Sequence, residues 1–218
     1  MIYLLSDLHG GEFMAGMETW RTAYRPGDLL ILLGDSELAF RQTEENRRFT
    51  ADFLASPFPI ALIDGNHDNF PWLRSFPKET WCGGVVHRLT ENIVYLPRGE
   101  IYTIEGKRFF VMGGCKSSAK WKEMGLWYPE EDPSAAEIAC AKENLTRAGL
   151  TVDYVLTHHC QSGGDPEAPT LAGLCAWIEA NVAYTHWYEG HHHKKGPKTE
   201  TLTRVFDELV ALPPESEN

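Results

Sequence analysis

Aspartate, asparagine and histidine recur along this chain at the places where a short apolar run has just ended. Asp7 and His9 follow "IYLL", Asp35 follows "LLILLG", and Asn66 and His67 follow "IALIDG". His158 follows "DYVLT", and His191 and His193 follow "HWYEG". Imidazole, carboxylate and a neutral amide oxygen, with no thiolate required, suit manganese, iron or zinc more than a soft-metal site. Asp7, His9, Asp35, Asn66, His158, His191 and His193 together are too many donors for one tetrahedral zinc. They suit two ions ~3.5–4 Å apart that share a bridging carboxylate and a bridging water. Asp7 and His9 are two apart, as are His191 and His193. In extended backbone such positions point the same way, so the outer histidines of "HHH" are expected to bind and His192 to point elsewhere.

Each piece alone has a plainer explanation. A solvated run accounts for His191 to His193 in isolation, although structured-looking sequence from 197 to 211 argues against a tag remnant. Asp7-Leu8-His9 is readable as an ordinary turn and Asp35 as a helix N-cap. Asn66 is readable as a turn residue, because Gly-Asn favours left-handed backbone. Jointly these explanations are poor.

The elements that must carry these residues are short buried strands. "IYLL", "DLLILLGD" and "FPIALIDGNHD" are apolar throughout and close on Gly/Asp turns, the mark of strands buried on both faces. "METWRTAY" and residues 43 to 55 read as helices between them, so the first 65 residues predict an α/β core. From Val85, "VVHRL", "NIVYLPRG", "IYTIEG" and "RFFVMGG" read as closely spaced strands of a second, more antiparallel sheet. Asp132-Pro133 is expected to open a helix reaching Gly149, with Asp132 as its cap. "VDYVLTHH" and "THWYEGHHH" read as strands around a helix over roughly 170 to 181. "TLTRVFDELVAL" fits strand or helix, and "PPESEN" a frayed tail. The carboxyl ends of α/β strands form one rim where ligands bind, so residues remote in sequence would meet there.

Composition restricts the partners. The 218 residues, 43% hydrophobic, suit one domain, taken as 1–212 with a tail at 213–218. No stretch approaches the ~20 apolar residues that span a bilayer, so no membrane partner is expected. "MIYLLSDLHGG" lacks a basic start and turns polar early, which fits a buried first strand and a cytoplasmic protein better than a signal sequence. Five cysteines, odd in number and without a CxxC, are expected to be reduced thiols. A net charge of -11 argues against a nucleic-acid polymer as partner. It leaves room for a small phosphorylated ligand, because bound cations reverse the local field. Oligomeric state is not legible.

"SDLHG", "GDSE", "GNHD", "VLTHH" and "GHHH" occur in the order and approximate spacing of the five blocks of the calcineurin-like metallophosphoesterases. "DGNHDNFPWLRSFP", "WCGGVVHRL" and "LPRGEIYTIEGKRFFVMGG" further resemble a small bacterial single-domain subgroup, so the likeness covers nearly the whole chain. The resemblance implies two mixed β-sheets packed as a sandwich flanked by helices. It implies a first metal on Asp7, His9 and His193, a second on Asn66, His158 and His191, and Asp35 bridging both. His67 would stand beside the scissile phosphate, to stabilise charge or protonate the leaving oxygen. Asp35, Asn66 and His67 are thus the catalytic candidates. The ions would be manganese in the first instance, with iron, zinc, nickel or magnesium as alternatives. In many relatives the GD block ends in a second Asp that orients the GNH histidine. Here that place is Leu38, which leaves Glu37, the backbone or nothing to orient His67.

The expected activity is hydrolysis of phosphate mono- or diesters by attack of a metal-bridging hydroxide. The rivals are a non-catalytic scaffold on the same fold and a single-metal hydrolase. Of the other residues, His87 and His186 read as structural, and His159 and His192 as packed or solvated rather than in contact with substrate. Cys160 reads as a buried free thiol rather than a thiolate ligand. Arg98 offers a phosphate contact or, at least as readily, a surface salt bridge, and Trp121 and Trp127 line a substrate mouth or, more often for tryptophan, pack in the core. Specificity is expected in residues 115 to 135, where Lys116, Lys120 and Lys122 offer anion contacts or are simply solvated.

Overall fold

A computed structural model describes residues 1–160 and 163–212; the "PPESEN" tail lies outside the described residues. The chain builds two sheets face to face. The first has the order β13-β1-β2-β3-β6-β5-β4, formed by β1 (Ile2–Leu5), β2 (Leu29–Leu33), β3 (Ile60–Ile63), β4 (Lys78–Trp81), β5 (Gly84–Arg88), β6 (Ile93–Tyr95) and β13 (Val210–Ala211). The second runs β11-β12-β10-β9-β8-β7, from β7 (Ile101–Ile104), β8 (Lys107–Met112), β9 (Tyr154–Thr157), β10 (His186–Glu189), β11 (Gly196–Pro197) and β12 (Leu202–Arg204). Both are mixed. β1, β2, β3 and β6 are parallel, as are β8, β9, β10 and β12, while β5 and the edge strands β4, β7, β11 and β13 pair antiparallel.

The apolar runs are continuous because both faces of each sheet are covered. Side chains alternate between two cores. Leu4, Ile31, Leu33 and Ile63 meet Phe109, Val111 and Leu156 between the sheets. Leu5, Leu30 and Leu32 turn outward to Met17 and Trp20 of α1 (Ala15–Ala23) and Phe53 of α2 (Glu44–Leu54). On the far side, α5 (Ala135–Arg147) and α6 (Leu171–Asn181) cover Phe110, Val155 and Trp187. Two shorter helices, α3 (Phe70–Arg74) and α4 (Ala119–Glu123), lie in the connections. The result is the α/β sandwich flanked by helices, with helix, sheet, sheet and helix in layers.

Three expectations are corrected. The residues after Val85 do not form one separate antiparallel sheet. β5 and β6 return to the first sheet beside β3, and only from β7 does the chain enter the second, whose centre is parallel. Local hairpins such as β4–β5 and β7–β8 create the antiparallel look of the sequence, but they occupy sheet edges. Next, α5 starts not at Pro133 but after Ser134, which forms a capping box with Glu137. That reciprocal pair satisfies two first-turn amides, which Asp132 is too far back to do. Finally, β10 stops at Glu189, and "HHH" lies beyond the strand. Gly190 allows the chain to turn there against β1, since a Cβ would stand 2.0 Å from Ser6 Oγ. The ambiguous closing segment is strand, and β13 ties the C-terminal end of the described chain back to β1.

Candidate metal centre

The carboxyl ends of β1, β2, β3, β9 and β10 converge on one rim. The His191 amide donates to Asp7 Oδ2 at 2.9 Å, although the residues are 184 positions apart. All seven expected ligands meet there, six of them in two groups. Asp7, His9 and His193 form one, and Asp35, His158 and His191 the other. Asp35 lies between them, with Oδ2 3.6 Å from His9 Nε2 and Oδ1 3.4 Å from His158 Nε2. Asn66 Oδ1 stands 3.2 Å from His158 Nε2. His192 departs from this cluster, its Nε2 3.6 Å from Glu189 Oε1.

The pairs two apart do not face the same way for the reason expected. Asp7, His9, Asp35, His191 and His193 all have positive φ, between 45° and 67°. The strand has ended before each of them, and left-handed residues rather than strand alternation aim the side chains.

Neighbouring residues fix most of the candidate ligands. His158 Nδ1 donates to the Leu33 carbonyl at 2.7 Å, which turns the Nε2 lone pair to the cluster. His9 Nδ1 donates to Glu37 Oε1 at 3.1 Å, and Arg41 grips the same carboxylate with Nε and Nη2 at 2.8 and 3.0 Å. Asn66 Nδ2 donates to Ser117 Oγ at 3.0 Å, leaving Oδ1 to the cluster. The His193 ring stacks on Phe206 at 4.7 Å. Gly65 makes room for Asp35, since a Cβ there would meet Asp35 Oδ1 at 2.1 Å. Asp68 fastens the two turns together, accepting from the amides of Asp35, Glu37 and Gly65 and from the Ser36 hydroxyl. Sequence reasoning did not single out Ser117 or Asp68. Asp68 had a signal, a carboxylate directly after Gly-Asn-His; Ser117 had none.

The donors fit divalent cations. Asp7 Oδ1 is buried without a hydrogen-bond partner, yet 3.8 Å from His9 Nε2 and 3.6 Å from His193 Nε2. The two imidazole Nε2 atoms of His9 and His193 face each other at 2.9 Å. An orphaned carboxylate oxygen beside converging ring nitrogens is costly in a protein interior and is what a cation would satisfy. The electrostatics agree. Burial opposes charge on His158, but the Asp35 charge and hydrogen bond and the Asp7 charge outweigh it and raise its pKa to about 10. Burial likewise works against a charged His9, and the Glu37 bond with the Asp35 and Asp7 charges raises its pKa nonetheless. The carboxylate field thus favours positive charge at His9 and His158, whereas burial and then the His158 charge lower the His191 pKa to about 3.

His67 lines a cavity of about 370 Å³ with His9, Asp35, Asn66, Trp121 and His193. Its backbone amide donates to Asp35 Oδ1 at 2.7 Å. Its Nδ1 is buried and has no hydrogen-bond partner, and Glu37 Oε1, at 4.0 Å, is too distant to orient it. Leu38 is buried in the outer core of the first sheet. The ring is held by packing instead, with Trp121 at 4.5 Å and Phe40 at 5.6 Å. Burial, the largest influence, lowers the His67 pKa.

Arg98 departs from both of its expected roles, and Trp121 takes the less favoured of its two. Arg98 is not in a surface salt bridge. It is buried against Asp64 at 2.6 Å, and Tyr95 donates to the other Asp64 oxygen. Burial of the β6–β7 connection under α5 puts the guanidinium inside. Trp121 lines the cavity beside His67 rather than the core, because α4 carries it over the rim. Trp127 packs against Lys122, which also approaches Glu131 at 3.7 Å. Lys116 lines the cavity, and Lys120 lies over Trp121. His87 and His186 bond to the Phe76 carbonyl and Thr203 hydroxyl, away from the rim. All five cysteines are free; burial first, then the Asp35 charge, pushes the Cys115 thiol up to about 12.

A family model described as calcineurin-like phosphoesterase matches residues 1–195. With the two mixed sheets and the His/Asp groups at their rim, the chain belongs to the calcineurin-like phosphoesterase family. No curated protein matches the sequence. Among the described residues no helix is long and apolar enough to cross a membrane.

Proposed function

We propose that the protein is a dinuclear metal-dependent phosphoesterase that hydrolyses phosphate mono- or diesters of small size, residues 1–212 acting as one domain. The observation that carries this reading is Asp35, whose two oxygens face separate groups of ligands. Asp7, His9 and His193 would hold one ion, and Asn66, His158 and His191 the other, with Asp35 fixing their spacing. When bound, two divalent cations, manganese foremost, supply Lewis acidity and neutralise phosphate charge.

The chain's own residues divide the remaining tasks. Asn66 offers an oxygen without adding negative charge that would repel a phosphate ester. Ser117 and the Leu33 carbonyl lock Asn66 and His158 before substrate arrives, so little reorganisation is needed. His67 faces the same cavity as Asp35, and burial keeps its ring neutral. A neutral imidazole gives one N–H to a phosphoryl or leaving oxygen. Trp121 closes one side of the cavity and limits water around that N–H.

The unpartnered Nδ1 of His67 favours a second reading, a scaffold that binds metal without turnover, because nothing fixes the ring's tautomer. Hydrolysis of an aryl phosphate and its diester with added manganese separates the two. Activity lost in Asp35→Asn and retained in His192→Ala supports the enzyme; wild-type protein inert with every divalent metal supports the scaffold.

A further inference from the structure

A second cavity, about 580 Å³, opens beside the first and shares His191 and Lys116 with it. Cys115, His159 and the N-terminal residue of α6, Leu171, also line it. Cys115 Sγ stands 3.7 Å from His191 Nε2. One donor atom from each of Cys115, His159 and His191 lies within 4.8 Å of the others. The His159 ring packs on His191 with centroids 4.7 Å apart, and its Nδ1 is buried without a hydrogen-bond partner. One sulfur and two imidazoles are a different donor set from the adjacent groups, where a carboxylate stands in place of the sulfur. They match the ligand types of a zinc site that keeps an open position.

We propose that Cys115, His159 and His191 form a third cation site, selective for thiophilic divalent ions such as zinc, which competes for His191 with the adjacent centre. Binding releases the Cys115 thiol proton to solvent and forms a metal–thiolate bond. His159, Glu189 and His192 also converge, but that group is a poorer host. Glu189 already accepts from Arg204 at 3.0 Å and faces Lys198 at 3.5 Å, two cations that repel a third. Among the described residues the polar contacts of Cys115 Sγ are the Lys116 carbonyl and His191 Nε2, neither of them a cationic side-chain head group. Only the functional consequence, inhibition by excess zinc through loss of His191, rests on the phosphoesterase reading; the site itself does not.

Cobalt(II) is the probe, because a thiolate ligand gives an intense near-ultraviolet charge-transfer band that carboxylate and imidazole do not. Titrating the full chain after chelation should produce that band, and Cys115→Ser should abolish it. Cys160→Ser, which alters the neighbouring buried thiol, should keep it. His159→Ala, which removes a second ligand of the proposed site, should weaken or abolish the band as well. Circular dichroism of the same samples shows that the variants are folded. Asp35→Asn should disrupt the adjacent centre and leave the band, so the two readings fail separately. No band in wild-type protein, or a band that survives Cys115→Ser, overturns the proposal.

Discussion

Replacing Glu37 with glutamine isolates one contact that supports the metal reading. The carboxylate is buried and accepts from His9 Nδ1 at 3.1 Å and from Arg41 at 2.8 and 3.0 Å. Glutamine keeps the shape but turns one of two acceptors into a donor. With its oxygen in the Oε2 place beside Arg41 Nε, the new NH2 stands at Oε1 and faces His9 Nδ1, which must then accept. The His9 proton moves to Nε2, the atom that faces Asp7 and Asp35. A protonated Nε2 cannot ligate. Loss of such an outer contact typically weakens metal binding 10–100-fold, or about 1.4–2.8 kcal/mol. The backbone around Glu37 is held independently, by Asp68 and by Asn46 donating to its carbonyl at 2.7 Å, so the turn should survive. Calorimetric titration of manganese into chelated protein should show two steps in wild type. Only the step belonging to Asp7, His9 and His193 should weaken in Glu37→Gln. Arg41→Met leaves the His9 contact in place and should change either step less than about threefold, since Arg41 is partly exposed. Equal weakening of both steps, or a Glu37→Gln titration that overlays wild type, would refute the argument.

Three further outcomes follow from the coordinates. Arg98→Met removes the partner of a fully buried Asp64, and urea denaturation should show a loss of about 3–5 kcal/mol; a loss under 1 kcal/mol would mean Asp64 finds another cation or a proton. Gly65→Ala places a Cβ 2.1 Å from Asp35 Oδ1 and 2.5 Å from the Asp35 amide nitrogen, so equilibrium dialysis should find both ions lost or much weakened. Wild-type retention of metal there would show that the turn has slack. For chelated protein, the raised His158 pKa stabilises the fold fully below about 6.5, and that contribution is lost as pH rises through about 10. Thermal melts should therefore drop over that window with chelator present, and manganese should flatten or reverse the trend by replacing the proton. A flat chelated profile would count against the Asp35–His158 coupling.

Much of this arrangement was legible in the residues because a few strong signals agree. β1, β2, β3, β9 and β10 are short apolar runs with polar residues after them, and that pattern places their ends. The helices over 44–54 and 171–181 carry Thr43 and Thr170 as N-caps, which sharpen their starts. Sheet membership was less legible. β5 and β6 look locally like β7 and β8, and only long-range pairing separates them. Arg98 and Trp121 were misplaced because their surroundings are set by α5 and α4, segments far from them or weakly periodic. Ser117 is one serine among many until the 115–118 loop folds over Asn66.

The left-handed residues explain why the metal-ligand pattern is sparse in sequence yet tight in space. A strand end that continued extended would carry Asp7 and His9 progressively away from the sheet. With Asp7 at φ 61° and His9 at 45°, and Leu8 between them near helical values, the chain folds back and both side chains return to the rim. His191 and His193, at 67° and 48°, do the same from the opposite sheet. Such conformations cost of order 1–3 kcal/mol each in residues with a Cβ and persist only where the surroundings impose them. Here bonds between the turns of neighbouring strands impose them, among them Asp7 N to Gly34 O, His9 N to Asp35 O and Gly190 N to His158 O, together with the cross-sheet bond from the His191 amide to Asp7 Oδ2. A binding residue can therefore sit immediately past a glycine or a strand with no periodic pattern of its own. Its spacing reflects a backbone reversal rather than a pleat, which is why His192, between two candidate ligands in sequence, faces Glu189 instead.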